Sequence, residues 1–162
     1  MVDDGNYHGL CPPAMVDVVS ALRAFNRFHT RFTGVLQPSY MDSGLGLTAA
    51  RLLYEIARGP EQVAGQGILA RTLQERLGID AGFASRLLRD FERRGWIERR
   101  KGADGRQRPI HLTDDGRAFF DRLEEKTRAH AEGRITHLDD VQRAALIAAL
   151  GEVRRLLGDV EA

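Results

Sequence analysis

The sequence predicts a mainly α-helical chain with one small β-hairpin, and three observations carry that expectation. Two short amphipathic segments, "ILARTLQERLG" and the stretch from Asp80 to Gly95, are joined by a tight glycine-containing turn, which makes a helix-turn-helix. Two segments of strand character, "WIERR" and "RQRPIHL", follow at once and are joined by "KGADG". Long apolar stripes at helical spacing occupy both ends of the chain. A hairpin directly after the second helix is a wing. The expected fold is therefore a winged helix-turn-helix with N- and C-terminal dimerisation helices.

The elements follow in order. Residues 14–35 read as a helix that starts after Pro12-Pro13. Met15, Val18, Leu22, Phe25, His29 and Phe32 recur at spacings of three and four, an a/d seam that wants a partner helix, while Arg23, Arg27 and Arg31 form a separate stripe. "QPSYMDSGLG" reads as a loop. Thr48 is a candidate cap for a second helix that stops at Gly59-Pro60.

In the third helix Leu69, Leu73 and Leu77 share a face, and Gly78 supplies a left-handed end. Asp80 caps the next helix. There Ala84, Leu87, Leu88 and Phe91 fall on one side, so they face the core. Gly82, Arg86, Arg89 and Arg93 then face outward, with Phe83 and Ser85 on the flanks. Guanidinium groups along a free helix face, with small residues at its start, suit entry into a major groove.

Charge points the same way. The formal net charge is only +1, yet residues 86–108 carry 9 basic and 4 acidic side chains, against 7 and 8 in residues 1–85 and 8 and 11 in residues 109–162. Such a basic segment between acidic ones is the footprint of a nucleic-acid reader, although a solvated Arg-rich surface would have the same composition. Arg99, Arg100, Lys101, Arg106 and Arg108 surround the hairpin turn, where a planar guanidinium can bind phosphate or enter a narrow minor groove.

The ordered set "LGIDAGFASRLLRDFERRGWIERR", "DGR" and "LTDDGR" resembles the MarR family of transcriptional regulators over nearly the whole chain. By that resemblance Arg106 would be the wing arginine that enters the minor groove, and Asp104 the acid that orients it. Ser85 and Arg86 match the family's "S-R" pair, whereas Phe83 stands where Thr or Ser is commoner. The DNA-contacting set is thus expected at Gly82, Phe83, Ser85, Arg86, Arg89, Arg93, Lys101, Asp104, Arg106 and Arg108.

Thr113 caps a helix running to about Gly133, and Asp139 with Gln142 forms a capping box for a last helix over 139–157. Leu146, Leu150, Val153 and Leu157 make its apolar stripe. The two terminal stripes exceed what one small winged helix can cover, so a two-fold homodimer is expected. The organisation reads as an N-terminal arm and dimerisation helix over 1–36, a winged helix-turn-helix over 45–118 and C-terminal dimerisation helices over 119–162. The resemblance implies a pseudo-palindromic double-stranded DNA operator, with half-sites roughly 10 bp apart. It also implies a repressor released by a small effector, often an anionic aromatic compound, bound where the dimer helices meet the DNA-binding lobe. Phe25, Phe28, His29, Phe32, Tyr40, Arg51 and Tyr54 are candidates for that crevice, the competing reading being that these aromatics are simply core.

Other classes fit less well. Cys11 could give thiol-based redox sensing, as in some family members, but no positive group other than His8 lies within a few residues to stabilise its thiolate. The histidines show no metal-ligand spacing beyond His8-x-x-Cys11, and His111 in the wing strand is expected to pack or to reach backbone. No cofactor is implied. Hydrolase, P-loop, zincin and dinucleotide motifs are absent, and Asp114-Asp115 sits at a helix start where the macrodipole accounts for it, so no enzyme is expected. A winged helix that binds RNA or protein is the remaining alternative. The N-terminus is acidic without an apolar core, and no apolar run approaches the roughly 18 residues of a membrane span. With a single Cys, this suits a reducing cytoplasm.

Overall fold

Asp17 starts the first described helix. In the computed structural model, which describes residues 17–34, 36–102 and 106–158, its carboxylate accepts the Ser20 N–H at 3.2 Å. Helix α1 (Val18–Thr33) then runs to Gly34, which at φ +67° closes it. The Asp17 side chain supplies an acceptor for the open amides of this first turn, and residues 14–16 of the expected helix lie outside the described residues. Met15 and Pro12-Pro13 lie outside the described residues.

The expected loop after α1 contains a short helical turn, Tyr40–Asp42. Helix α2 (Leu47–Arg58) starts after Gly46 and not at a Thr48 cap. Leu45 is buried and fixes where the chain enters, so Thr48 is already inside the helix. Gly59-Pro60 stops α2 as expected, and Pro60 then opens a short helix, α3 (Pro60–Val63), at the position where its missing N–H is harmless. Helix α4 (Ala70–Leu77) ends at Gly78 with φ +60°. Two residues on, the Asp80 carboxylate accepts the Phe83 N–H at 2.9 Å and starts α5 (Ala81–Arg93).

The wing is an antiparallel pair, β1 (Ile97–Arg99) and β2 (Ile110–Leu112), in register Ile97 to Leu112, Glu98 to His111 and Arg99 to Ile110. The ladder continues toward the tip, where Arg100 N–H donates to the Pro109 carbonyl and Gly102 N–H to that of Gln107, both at 3.0 Å. On the other edge of β2, Ile68 exchanges two backbone hydrogen bonds with Ile110, at 2.8 and 3.0 Å. The wing root is therefore fastened to the chain just before α4.

Helix α6 (Asp114–Ile135) runs two residues past the expected Gly133. The Thr113 hydroxyl accepts the Gly116 N–H at 3.0 Å and donates to the Gly95 carbonyl at 2.6 Å. Helix α7 (Asp140–Leu156) starts with the expected capping box, Asp139 and Gln142 each accepting the other's backbone N–H.

One core joins these pieces. Leu52, Leu53 and Ile56 of α2, Leu73 of α4, Leu88 and Phe91 of α5, Ile97 and Ile110 of the wing and Phe120 of α6 pack with Ile68. Neither α1 nor α7 contributes a buried residue. Their apolar side chains face solvent: Phe28 is 53% and Ile147 73% exposed.

Candidate nucleic-acid interface

Helix α5 has two faces, set by its 100° step. Ala84, Leu88 and Phe91 are buried and Leu87 half-buried, while Gly82, Ser85, Arg86, Arg89 and Arg93 are exposed. Phe83 is half-buried on the flank, and the Arg86 guanidinium carbon lies 5.7 Å from its ring centre. Arg89 Nε donates back to the Ser85 carbonyl at 3.3 Å.

Carboxylates that the sequence pattern does not announce hold several cations of this region. Asp90 binds Arg93 at 2.6 Å and Arg94 at 2.8 Å. Desolvation by itself would push its carboxyl up, but the hydrogen bonds from Arg93 and Arg94 outweigh that and hold it below the ordinary carboxylate value. Arg99 on β1 reaches Glu92 on α5 at 2.7 Å, and Arg100 pairs with Glu98 at 2.6 Å. Exposed pairs of this kind contribute about 0–1 kcal/mol each, so phosphate oxygens can replace the carboxylates at little cost. Lys101, Arg106 and Arg108 are exposed on the hairpin arms. Asp104 falls in 103–105, outside the described residues.

Aromatic packing fixes the wing against α5. Trp96 stacks on Phe119 of α6 with ring centres 3.8 Å apart and meets Phe91 of α5 at 5.7 Å, and the Arg94 guanidinium carbon lies 4.9 Å from the Trp96 ring. His111, expected to pack in the wing strand, is 7% exposed. Its ring lies so close to Gly67 that a Cβ there would approach Nε2 to 2.5 Å. Burial first, and the Arg100 charge second, push its pKa below the ordinary 6.5, with Glu98 opposing them.

A separate open cavity of about 480 Å³ lies between α2 and α6. Tyr40, Arg51 and Tyr54, three of the expected effector residues, line it together with Leu47, Ala50, Phe120, Leu123, Glu124, Thr127, Arg128 and Ala131. Arg51 pairs with Glu55 at 2.9 Å, its guanidinium carbon 5.1 Å from the Tyr54 ring. Phe25, Phe28, His29 and Phe32 do not line this cavity. They sit on α1, as two ring pairs, Phe25 with His29 and Phe28 with Phe32, with centres 5.8 and 5.5 Å apart. The spacing of the missed residues, from Phe120 through Thr127 to Ala131, marks one helix face and was visible in the sequence. Cys11 and His8 lie outside the described residues.

Among the described residues, no helix is long and apolar enough to cross a membrane, and no group of three or more His, Cys, Asp or Glu side chains could hold a metal ion.

Residues 43–107, from before α2 to the hairpin tip, match the model of the MarR family. That stretch is therefore similar to the winged helix of the MarR family. Over 91 residues the chain is 28% identical to YdgJ, described as an uncharacterized HTH-type transcriptional regulator of Bacillus subtilis, and it spans 56% of that protein's length. The fold extends further than the sequence match. A MarR-family transcriptional regulator from Silicibacter pomeroyi superposes with a TM-score of 0.62 at 23% identity, covering 93% of this chain and 99% of that one. MepR, a transcription regulator of the Staphylococcus aureus multidrug efflux pump MepA, superposes with a TM-score of 0.67 at 17% identity, covering 84% and 97%. The similarity in fold thus reaches well beyond the residues that the family model matches.

Proposed function

We propose that this chain is a MarR-family transcriptional regulator that binds double-stranded DNA as a homodimer and acts as a repressor released by a small effector. The observation that carries the reading is α5 itself. Its buried face is apolar, and its free face offers Gly82, Ser85, Arg86, Arg89 and Arg93 with a wing of exposed Lys101, Arg106 and Arg108 close behind. Arg86 and Arg89 would address base edges and phosphates in the major groove, and Arg106 the adjacent minor groove with Asp104 orienting it. The exposed apolar faces of α1 and α7 would pair with a second copy, setting two such helices about one duplex turn apart on a pseudo-palindrome. The cavity at Tyr40, Arg51 and Tyr54 would take an anionic aromatic effector, its ring among Tyr54, Phe120 and Leu123 and its charge toward Arg51 and Arg128. Cytoplasmic location goes with this reading.

Selection of bound sequences from a random duplex pool tests the proposal. If about 6–10 phosphates are neutralised, log affinity falls with log salt at a slope of about −5 to −9. Arg106→Ala should weaken binding by about 1–3 kcal/mol and relax the preference for A·T pairs beside each half-site. A flat salt response, or structured RNA outcompeting every duplex, contradicts the reading. Calorimetry with a panel of phenolic acids tests the effector site, and no heat at millimolar concentration removes it.

A further inference from the structure

We propose that Phe83 reads the 5-methyl group of a thymine in the major groove, next to the base that Arg86 holds. The inference rests on the double-stranded DNA reading above and names the sequence feature that α5 selects. Phe83 is the third residue of α5, and Asp80 fixes that turn by accepting its N–H at 2.9 Å. The ring is half-buried and takes no part in the core cluster that holds Leu88 and Phe91. Burial of an aromatic side chain is a large stabilising term, so a ring left half in water is a poor structural choice unless something else covers it.

What surrounds the ring suits a base edge. Gly82 and Ser85 are exposed and project little, leaving the first turn open to close approach. The Arg86 guanidinium carbon lies 5.7 Å from the Phe83 ring centre, and a Cβ built on Gly82 would come within 3.7 Å of Arg86 Nη1. The guanidinium thus lies across the first turn, and an apolar ring and a charged fork stand side by side. In the major groove only thymine offers a methyl group, while guanine O6 and N7 match an Arg fork. Successive bases are about 3.4 Å apart along one strand, so ring and fork address neighbouring bases.

The test uses a duplex selected from a random pool with the unaltered full-length protein. Each thymine is replaced in turn by deoxyuridine, which deletes the methyl and keeps every hydrogen-bonding group. One thymine in each half-site, beside a guanine, should lose about four-fold in affinity on replacement, the worth of one buried methyl. Phe83→Ala, with its fold checked by circular dichroism, should bind the thymine and deoxyuridine duplexes equally while keeping its salt response. If no thymine is sensitive, or if the sensitivity survives in Phe83→Ala, the assignment to Phe83 is overturned while duplex binding stands. If the pool yields no bound duplex at all, the DNA reading fails and this assignment fails with it.

Discussion

At Gly116 a single hydrogen atom sets how closely α6 approaches the wing. A Cβ at this position would overlap the Trp96 carbonyl oxygen and press on Leu112. Backbone cannot retreat there, because that same carbonyl accepts the Thr113 N–H at 3.0 Å and Thr113 caps the helix. Gly116→Ala should therefore destabilise the fold by about 1–3 kcal/mol, the usual scale of overpacking, despite the better helix propensity of Ala. A urea melt that leaves the midpoint unchanged would show that the contact relaxes freely. His111 supports a second prediction, with its sign fixed by burial. Its folded pKa lies below 6.5, so below that pH the unfolded chain takes up a proton that the folded chain refuses. Stability is thus full above about pH 6.5 and falls as the pH drops from there. Between about pH 7.5 and about 5.5, His111→Gln should lose less stability than the unaltered chain; equal losses would clear His111 of the effect.

The helix that faces outward shows how far element-level reading goes. The two faces of α5 were legible in the sequence because a 100° step and the apolar set Ala84, Leu88 and Phe91 leave little choice. Caps were legible at Asp80, Thr113 and Asp139, where a short polar side chain directly precedes a periodic run. The partners of the arginines were not. Whether Arg99 meets Glu92 depends on how β1 returns past α5, and Ile68 pairs with Ile110 as a single residue with no periodicity to announce it. The cavity was half legible for a similar reason. Aromatics on α1 and on α2 look alike in sequence, and only the packing of α2 against α6 separates Tyr54 from Phe28. Asp90 offers a test at this scale, since it neutralises Arg93 and Arg94 at the end of α5. Asp90→Asn should strengthen duplex binding at low salt by up to about 1 kcal/mol, with the gain fading as salt rises. Weaker binding in filter or fluorescence titrations would mean that Asp90 positions the two arginines for contact instead of withholding them.

For the whole molecule, the decisive contrast is between a well-filled central core and two long helices without a fully buried residue. An amphipathic helix of 16 or 17 residues draws its stability mainly from packing, and α1 and α7 find little of it within one chain. A second copy supplies it if both terminal helices pair across a two-fold axis, and the spacing of the two α5 helices then depends on that pairing. On the proposed function, DNA affinity and dimerisation would be coupled through this geometry, so disrupting the apolar stripe of α7 should abolish operator binding without touching a single residue proposed to face DNA. Ile147 and Leu150 are 73% and 48% exposed, far from the core, so charges there cost the single chain little. In a dimer the same charges would be buried without partners, at a cost of several kcal/mol per protomer. Ile147→Glu combined with Leu150→Glu is therefore expected to sediment as a monomer and to lose operator binding. The near-ultraviolet signal of Trp96, stacked on Phe119 of α6 at the root of the wing, should stay unchanged. A variant that remains dimeric, or a monomer that still binds the full palindrome with undiminished affinity, would refute the coupling of terminal-helix pairing to DNA recognition.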